Sequence, residues 1–115
     1  MDNIVLKKTI AFLKKKAKEN NAFIWLSVAE LLSKSRRRRI CVNISKINRY
    51  SKDGDIIVVP GKVLGSGIIN HKVIVGAFKF SESAKKKIEE SGGECLSIIN
   101  LVEKQPNGTG VKLIG

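Results

Sequence analysis

Soft metal ligands are scarce in this chain. It holds two cysteines and one histidine among 115 residues. Cys41 and Cys95 lie far apart, with His71 between them, which is too few donors at the wrong spacing for a zinc site. They read instead as two small buried thiols kept reduced in a cytosol. No apolar run approaches the roughly 18 residues of a membrane span. The start, Met-Asp-Asn and then lysines, has no signal-peptide core or cleavage site. Catalysis finds no support either. His71 has no cysteine or carboxylate at a recognisable spacing, and the acids are scattered, so no acid–base constellation forms. No metal or cofactor is implied.

Positive charge is what the chain has in excess. Its 22 lysines and arginines face 10 acids, a net +12, while 43% of its residues are apolar. That apolar share is enough for a modest core in one domain spanning 1–115. No core needs such a charge imbalance, and it costs self-repulsion that a polyanionic partner relieves. The charge is uneven. Residues 1–50 carry eight lysines and five arginines against Asp2, Glu19 and Glu30, a net +10, while residues 51–115 carry only +2. The reading divides the chain into a basic helical arm with its arginine run, 1–39, and an α/β core, 40–115.

Residues 3–20 have helical periodicity. Ile10, Leu13 and Ala17 form a stripe, with Ile4 and Leu6 behind it, and lysines fill most of the rest. Asn20-Asn21 ends that helix. A second helix is predicted over 22–34 through Ile24, Val28, Leu31 and Leu32, with Trp25 and Phe23 in the helical core. The short break makes the pair an antiparallel hairpin. Arg36-Arg37-Arg38-Arg39 follows. Four adjacent arginines repel one another without counter-charge, and their planar forks suit phosphate. Beyond them, 40–44 alternates like a strand and 45–50 suits a turn of helix. Lys52-Asp53-Gly54-Asp55 is turn chemistry. Ile56–Val59 and Val73–Phe78 read as buried strands. Ser81 caps a helix from Glu82 to Glu90, which Gly92-Gly93 stops. Residues 96–99 read as a strand leading into a short helix, Pro106-Asn107-Gly108 as a turn, and 111–114 as a last strand. Strands alternating with helices argue an α/β fold.

Pro60-Gly61-Lys62-Val63-Leu64-Gly65-Ser66-Gly67 invites a phosphate reading, because glycine lets backbone N–H groups approach an anion. A nucleotide P-loop would need Ser or Thr after its Gly-Lys and a helix behind it. Val63-Leu64 stands there instead. The stretch is expected to be a backbone loop on RNA phosphate, a tight structural hairpin, or both.

Gly54 to Gly67, followed by His71-Lys72-Val73, resembles the eighteenth large-subunit ribosomal protein of archaea and eukaryotes, a family related to the bacterial fifteenth large-subunit protein. The resemblance continues through Ala77-Phe78-Lys79-Phe80-Ser81, Lys87 to Gly93, and the closing Gly108 to Gly115. It is strong over 40–115 and looser before. Ile68-Ile69 is more apolar than the family pattern, and Gly76 stands where alanine is more frequent. The short length is more like the archaeal members. The resemblance implies a compact body described as an irregular β-β-α superhelix, preceded by the basic hairpin, and a structural rather than catalytic role. It implies large-subunit rRNA and neighbouring large-subunit proteins as partners in the cytoplasm. The family's basic loop maps onto Lys62, His71 and Lys72, with Gly61, Gly65 and Gly67 shaping the turn.

The expected RNA-contacting set is therefore Lys7, Lys8, Lys14, Lys15, Lys18, Arg36, Arg37, Arg38, Arg39, Arg49, Lys52, Lys62, Gly65, Gly67, His71 and Lys72. The expected mechanism is phosphate neutralisation without a base code, because structured RNA is read by shape, phosphates and 2′-hydroxyls. Tyr50, beside Arg49 and Lys52, is the one aromatic that suits base stacking, and a core role suits it equally. Two other classes stay open: an RNA-binding protein outside the ribosome, and a membrane-surface protein using residues 3–20 as a basic amphipathic helix.

Overall fold

A computed structural model describes residues 2–34 and 40–115. Helix α1 spans Asp2–Asn20 and α2 spans Phe23–Leu32. Asn21 takes a left-handed conformation, φ 52°, and Ala22 N donates to Ala17 O at 3.0 Å, so the chain reverses within two residues. The hairpin matches the expected one within two residues at each end. Its inward faces differ from expectation. Trp25 is fully buried, but Phe23 is 81% exposed and Ile4 67% exposed. Leu6, Leu13 and Thr9 are the α1 side chains that go inside. The burial face is centred there because these positions, with Ile10 and Ala17, fall on one side of a helix of 3.6 residues per turn.

The rest is β1 (Ile40–Asn43), α3 (Ile44–Tyr50), β2 (Asp55–Leu64), β3 (Val73–Phe80), α4 (Glu82–Glu90), β4 (Glu94–Ser97), α5 (Ile98–Lys104) and β5 (Val111–Leu113). The fold is α/β, with all strand pairs parallel. Strand β2 is the spine of the sheet. On one edge it pairs along its length with β3, which pairs with β4. Its other edge is shared: Ile56–Val58 pair with β5, and Gly61–Leu64 pair with β1.

The handover between those partners falls at Pro60-Gly61, and it corrects the loop reading of Pro60–Leu64. These residues are strand, with Pro60, Gly61 and Val63 buried. A proline has no N–H to give a ladder, so within a sheet it belongs at an irregularity. The β2–β3 register slips between Val59 and Lys62, a bulge that accommodates Pro60. A side chain on Gly61 would overlap the backbone carbonyl of Ile40 on β1, so the close pairing of β1 requires glycine. The hairpin alternative fails as well, because β2 and β3 are parallel.

Two apolar layers sandwich the sheet. Ile57, Val59, Val63, Val73 and Val75 meet Ile47 of α3 and Ala84 and Ile88 of α4. Val58 faces the other way, onto Leu6, Leu13, Trp25, Val28 and Leu32 of the hairpin and Leu101 and Val102 of α5. Alternation along β2 feeds both layers, as period-2 geometry requires. Each such side chain contributes about 1.5–3 kcal/mol on burial. The basic hairpin thus supplies seven of the eleven buried residues of this second layer. Trp25 ties it down further, its Nε1 donating to Pro106 O at 2.8 Å. Gly76 on β3 leaves the space that Leu101 of α5 fills.

Candidate nucleic-acid interface

Leu6 and Leu13 must face inward, so helical geometry turns Lys7, Lys8, Lys14, Lys15 and Lys18 outward. All five are exposed. They share one side of α1, and no ion pair among the described residues engages any of them. The nearby acid, Glu19, is taken by Lys16 at 3.1 Å. Lys16 also lies 5.6 Å from the Phe12 ring centre, below the outward face. This is a row of uncompensated ammonium groups on a rigid rod.

A second basic group sits where β2 and β3 begin. Arg49 ends α3, and Lys52 and Lys72 precede the two strands; all three are exposed. A dense hydrogen-bond web fixes the backbone between them. Gly54 N donates to Lys72 O at 2.7 Å, Lys72 N to Asp53 Oδ1 at 3.0 Å, and Asn70 N to Asn48 Oδ1 at 3.1 Å. Asp55 accepts from Lys52 N at 2.8 Å and pairs with Lys112 at 2.9 Å. The Lys112 ammonium, then the Lys52 amide, hold the Asp55 carboxyl below its ordinary value. The two acids here therefore serve the backbone, Lys112 and each other's turn, leaving the ends of Lys52 and Lys72 in solvent.

His71 belongs to this web more than to the surface. Ser51 Oγ donates its proton to Ile47 O, so its contact with His71 Nε2, 2.7 Å, needs Nε2–H as the donor. The other ring nitrogen, Nδ1, lies 3.2 Å from the Asn70 side chain. The Nε2–H bond to Ser51 ties the ring to α3, and the ring braces the loop that presents Lys72.

Gly65 and Gly67 lie in the connection from β2 to β3, and packing explains both. A side chain on Gly65 would overlap Ser83 Oγ, and one on Gly67 would overlap the Ser45 side chain. Gly67 also has φ 101°, a conformation that disfavours any other residue. Their carbonyls face protein: Lys87 Nζ donates to Gly65 O at 2.8 Å and Gly67 O at 3.1 Å. Ile69 is buried in the core beneath, while Ile68 is 73% exposed. The extra apolar pair therefore divides, one residue as anchor and one outward.

Lys62 stands elsewhere, exposed on the distal half of β2, in register with Cys41 on β1 and Lys79 on β3. Lys79 is exposed too and was missed by sequence reasoning. The alternation Ala77-Phe78-Lys79-Phe80 carried the signal. Leu6, Leu32, Gly61 and Phe78 line the same shallow cavity as these lysines. Arg36, Arg37, Arg38 and Arg39 lie outside the described residues. Tyr50 is 55% exposed, with Lys46 and Lys112 lining the same hollow, so it is not a core residue. The thiols correct another expectation: Cys41 is exposed and Cys95 only half-buried. Among the described residues, the predicted lysines, Arg49 and His71 lie on α1, at the β2–β3 start and on distal β2, where Lys62 shares a cavity with Leu6 of α1.

The family described as ribosomal protein 60S L18 and 50S L18e matches residues 2–115. The chain is 48% identical over 112 residues to the large ribosomal subunit protein eL18 of Pyrobaculum aerophilum, covering 97% of this chain and 92% of that one. It is likewise 48% identical to the eL18 of Methanothermobacter thermautotrophicus, covering 93% and 88%. To the eL18 of Methanococcus maripaludis it is 46% identical, covering 89% and 85%.

Proposed function

Because the chain belongs to the eL18 family of large-subunit ribosomal proteins, we propose that it is a structural constituent of the large ribosomal subunit, in the cytoplasm, and binds rRNA by neutralising phosphates. The observation that carries the RNA reading is the α1 face, where Lys7, Lys8, Lys14, Lys15 and Lys18 project without a carboxylate partner among the described residues. Lys52, Lys62, Lys72 and Arg49 extend the contact, and the Arg36–Arg39 run joins it. Gly65, Gly67 and His71 act one step back, shaping and bracing the loop that offers Lys72. The whole chain, 1–115, works as one unit without catalysis or cofactor. Its remaining exposed surface meets neighbouring subunit proteins.

The membrane-surface alternative loses its main support. An interfacial helix sinks its apolar face into lipid, but the apolar side of α1, Leu6 and Leu13, is packed with α2 and α5.

The test is sedimentation of tagged protein from cells. Co-migration with the large subunit at moderate salt, lost at high salt, is expected; absence from that peak refutes the proposal. If the five α1 lysines each neutralise a phosphate, they contribute about −4 to the slope of log affinity against log salt. Replacing Arg36 to Arg39 with alanine is expected to weaken binding to an rRNA fragment strongly, with folding intact. Unchanged binding would remove the arginines from the interface.

A further inference from the structure

We propose that the groove at the α1–α2 turn seats one unstacked RNA nucleotide, with Phe23 as the platform for its base and Lys14 and Lys18 as the clamp on its phosphate. This deepens the rRNA-binding reading and rests on it. Phe23, at 81%, is the most exposed large apolar side chain among the described residues. Its backbone is held firmly. Asn21 is in the left-handed conformation just before it, and Ala22 N donates to Ala17 O. Two residues on, Trp25 is fully buried and bonded to Pro106 O. The backbone under the ring therefore needs no rearrangement when a base stacks on it.

The surroundings specify the ligand. Ala17, Leu26 and Phe23 make the wall of a groove of about 230 Å³, and Lys14 and Lys18 stand on its rim. No acid lines it. Glu19, next in sequence, is turned to Lys16. A ligand filling this site needs a flat apolar face joined to an anion. A nucleotide has both, and base–aromatic stacking tolerates any base. This adds a base contact that phosphate neutralisation alone lacks, and it requires an rRNA base free of its helix.

The experiment uses the full chain and a short single-stranded RNA carrying 2-aminopurine, whose fluorescence reports stacking, with filter binding to large-subunit rRNA in parallel. The wild-type protein is expected to quench the probe. Phe23→Ala is expected to abolish the quench and weaken probe binding roughly tenfold, with its melting temperature unchanged because the ring is exposed. Phe23→Tyr is expected to retain the quench. Lys14→Ala with Lys18→Ala is expected to weaken binding and flatten its salt dependence by roughly one to two units. If wild-type and Phe23→Ala proteins quench equally and bind rRNA equally, the seat is refuted while the rRNA reading stands. If the wild-type protein fails to bind rRNA at all, the broader reading falls and takes the seat with it.

Discussion

Replacing Gly61 with alanine separates a buried strand from an RNA-facing loop. The added methyl group would overlap the Ile40 carbonyl oxygen and lie 2.9 Å from its carbon. The obstacle is backbone, so no rotamer change relieves it. Either β1 must move away, losing its pairing from Ile40–Gly61 to Asn43–Leu64, or β2 must bend at its bulge. Overpacking a filled site costs typically about 1–3 kcal/mol, and loss of β1 pairing puts this case at the upper end, about 3 kcal/mol. At roughly 4 °C per kcal/mol for a domain of this size, Gly61→Ala should melt about 12 °C below wild type. Lys62→Ala, one residue on, gives the contrast. Its side chain is exposed, so stability should stay within about 0.5 kcal/mol. The salt slope of rRNA binding should shrink by about 0.7–0.9 if Lys62 holds one phosphate. The assays are thermal melting by circular dichroism and filter binding across a salt series below both melting temperatures. If Gly61→Ala melts like wild type but loses rRNA affinity, the reasoning is wrong and Gly61 contacts RNA directly.

Three further outcomes are expected. Asp55 titrates below its ordinary value of 3.8, so its stabilising effect is present above about pH 4 and is lost as pH falls through the lower folded value. Asp55→Asn should be less stable than wild type at neutral pH and lose less stability between about pH 4 and 2, measured by urea melts. Burial, and then Glu89, push the Cys95 thiol up to about 11, leaving roughly one molecule in a thousand as thiolate at pH 8; disulfide-reagent labelling should show exposed Cys41 reacting first and Cys95 far more slowly. Trp25→Phe keeps most of the ring but drops the bond to Pro106 O, and should cost about 1 kcal/mol or more in denaturant melts.

Elements whose limits are set by neighbouring residues were legible in the sequence. Helix α4 begins and ends where Ser81 and Gly92-Gly93 place it, and Ser81 Oγ does accept from Ala84 N at 3.2 Å. The α1–α2 turn was legible for the same reason. Strand β2 was misread because Pro60-Gly61 is turn chemistry locally, and only pairing with β1 and β5, remote in sequence, makes it strand. Phe23 was misplaced because periodicity finds a stripe but cannot say where its edge falls on the packed surface. The lysine face of α1 was visible as composition, and packing of Leu6 and Leu13 fixes which lysines face out. For Gly65 and Gly67 the reasons are Ser83 and Ser45, on α4 and α3; no local pattern announces them.

Strand β2 carries β1, β3 and β5 at once, and this has a consequence for how the chain assembles. The β5 partner of Ile56 is Val111, and Ile114 N bonds Val58 O at 3.0 Å. About half of the chain is therefore looped out while one short edge waits to close. Topologies dominated by such distant pairings fold slowly, on the millisecond-to-second scale. During that interval a chain of net +12 is an open polycation among nucleic acids. Under the proposed rRNA binding, its lysines would engage phosphate before the sheet is complete, and RNA would then scaffold the last step of folding.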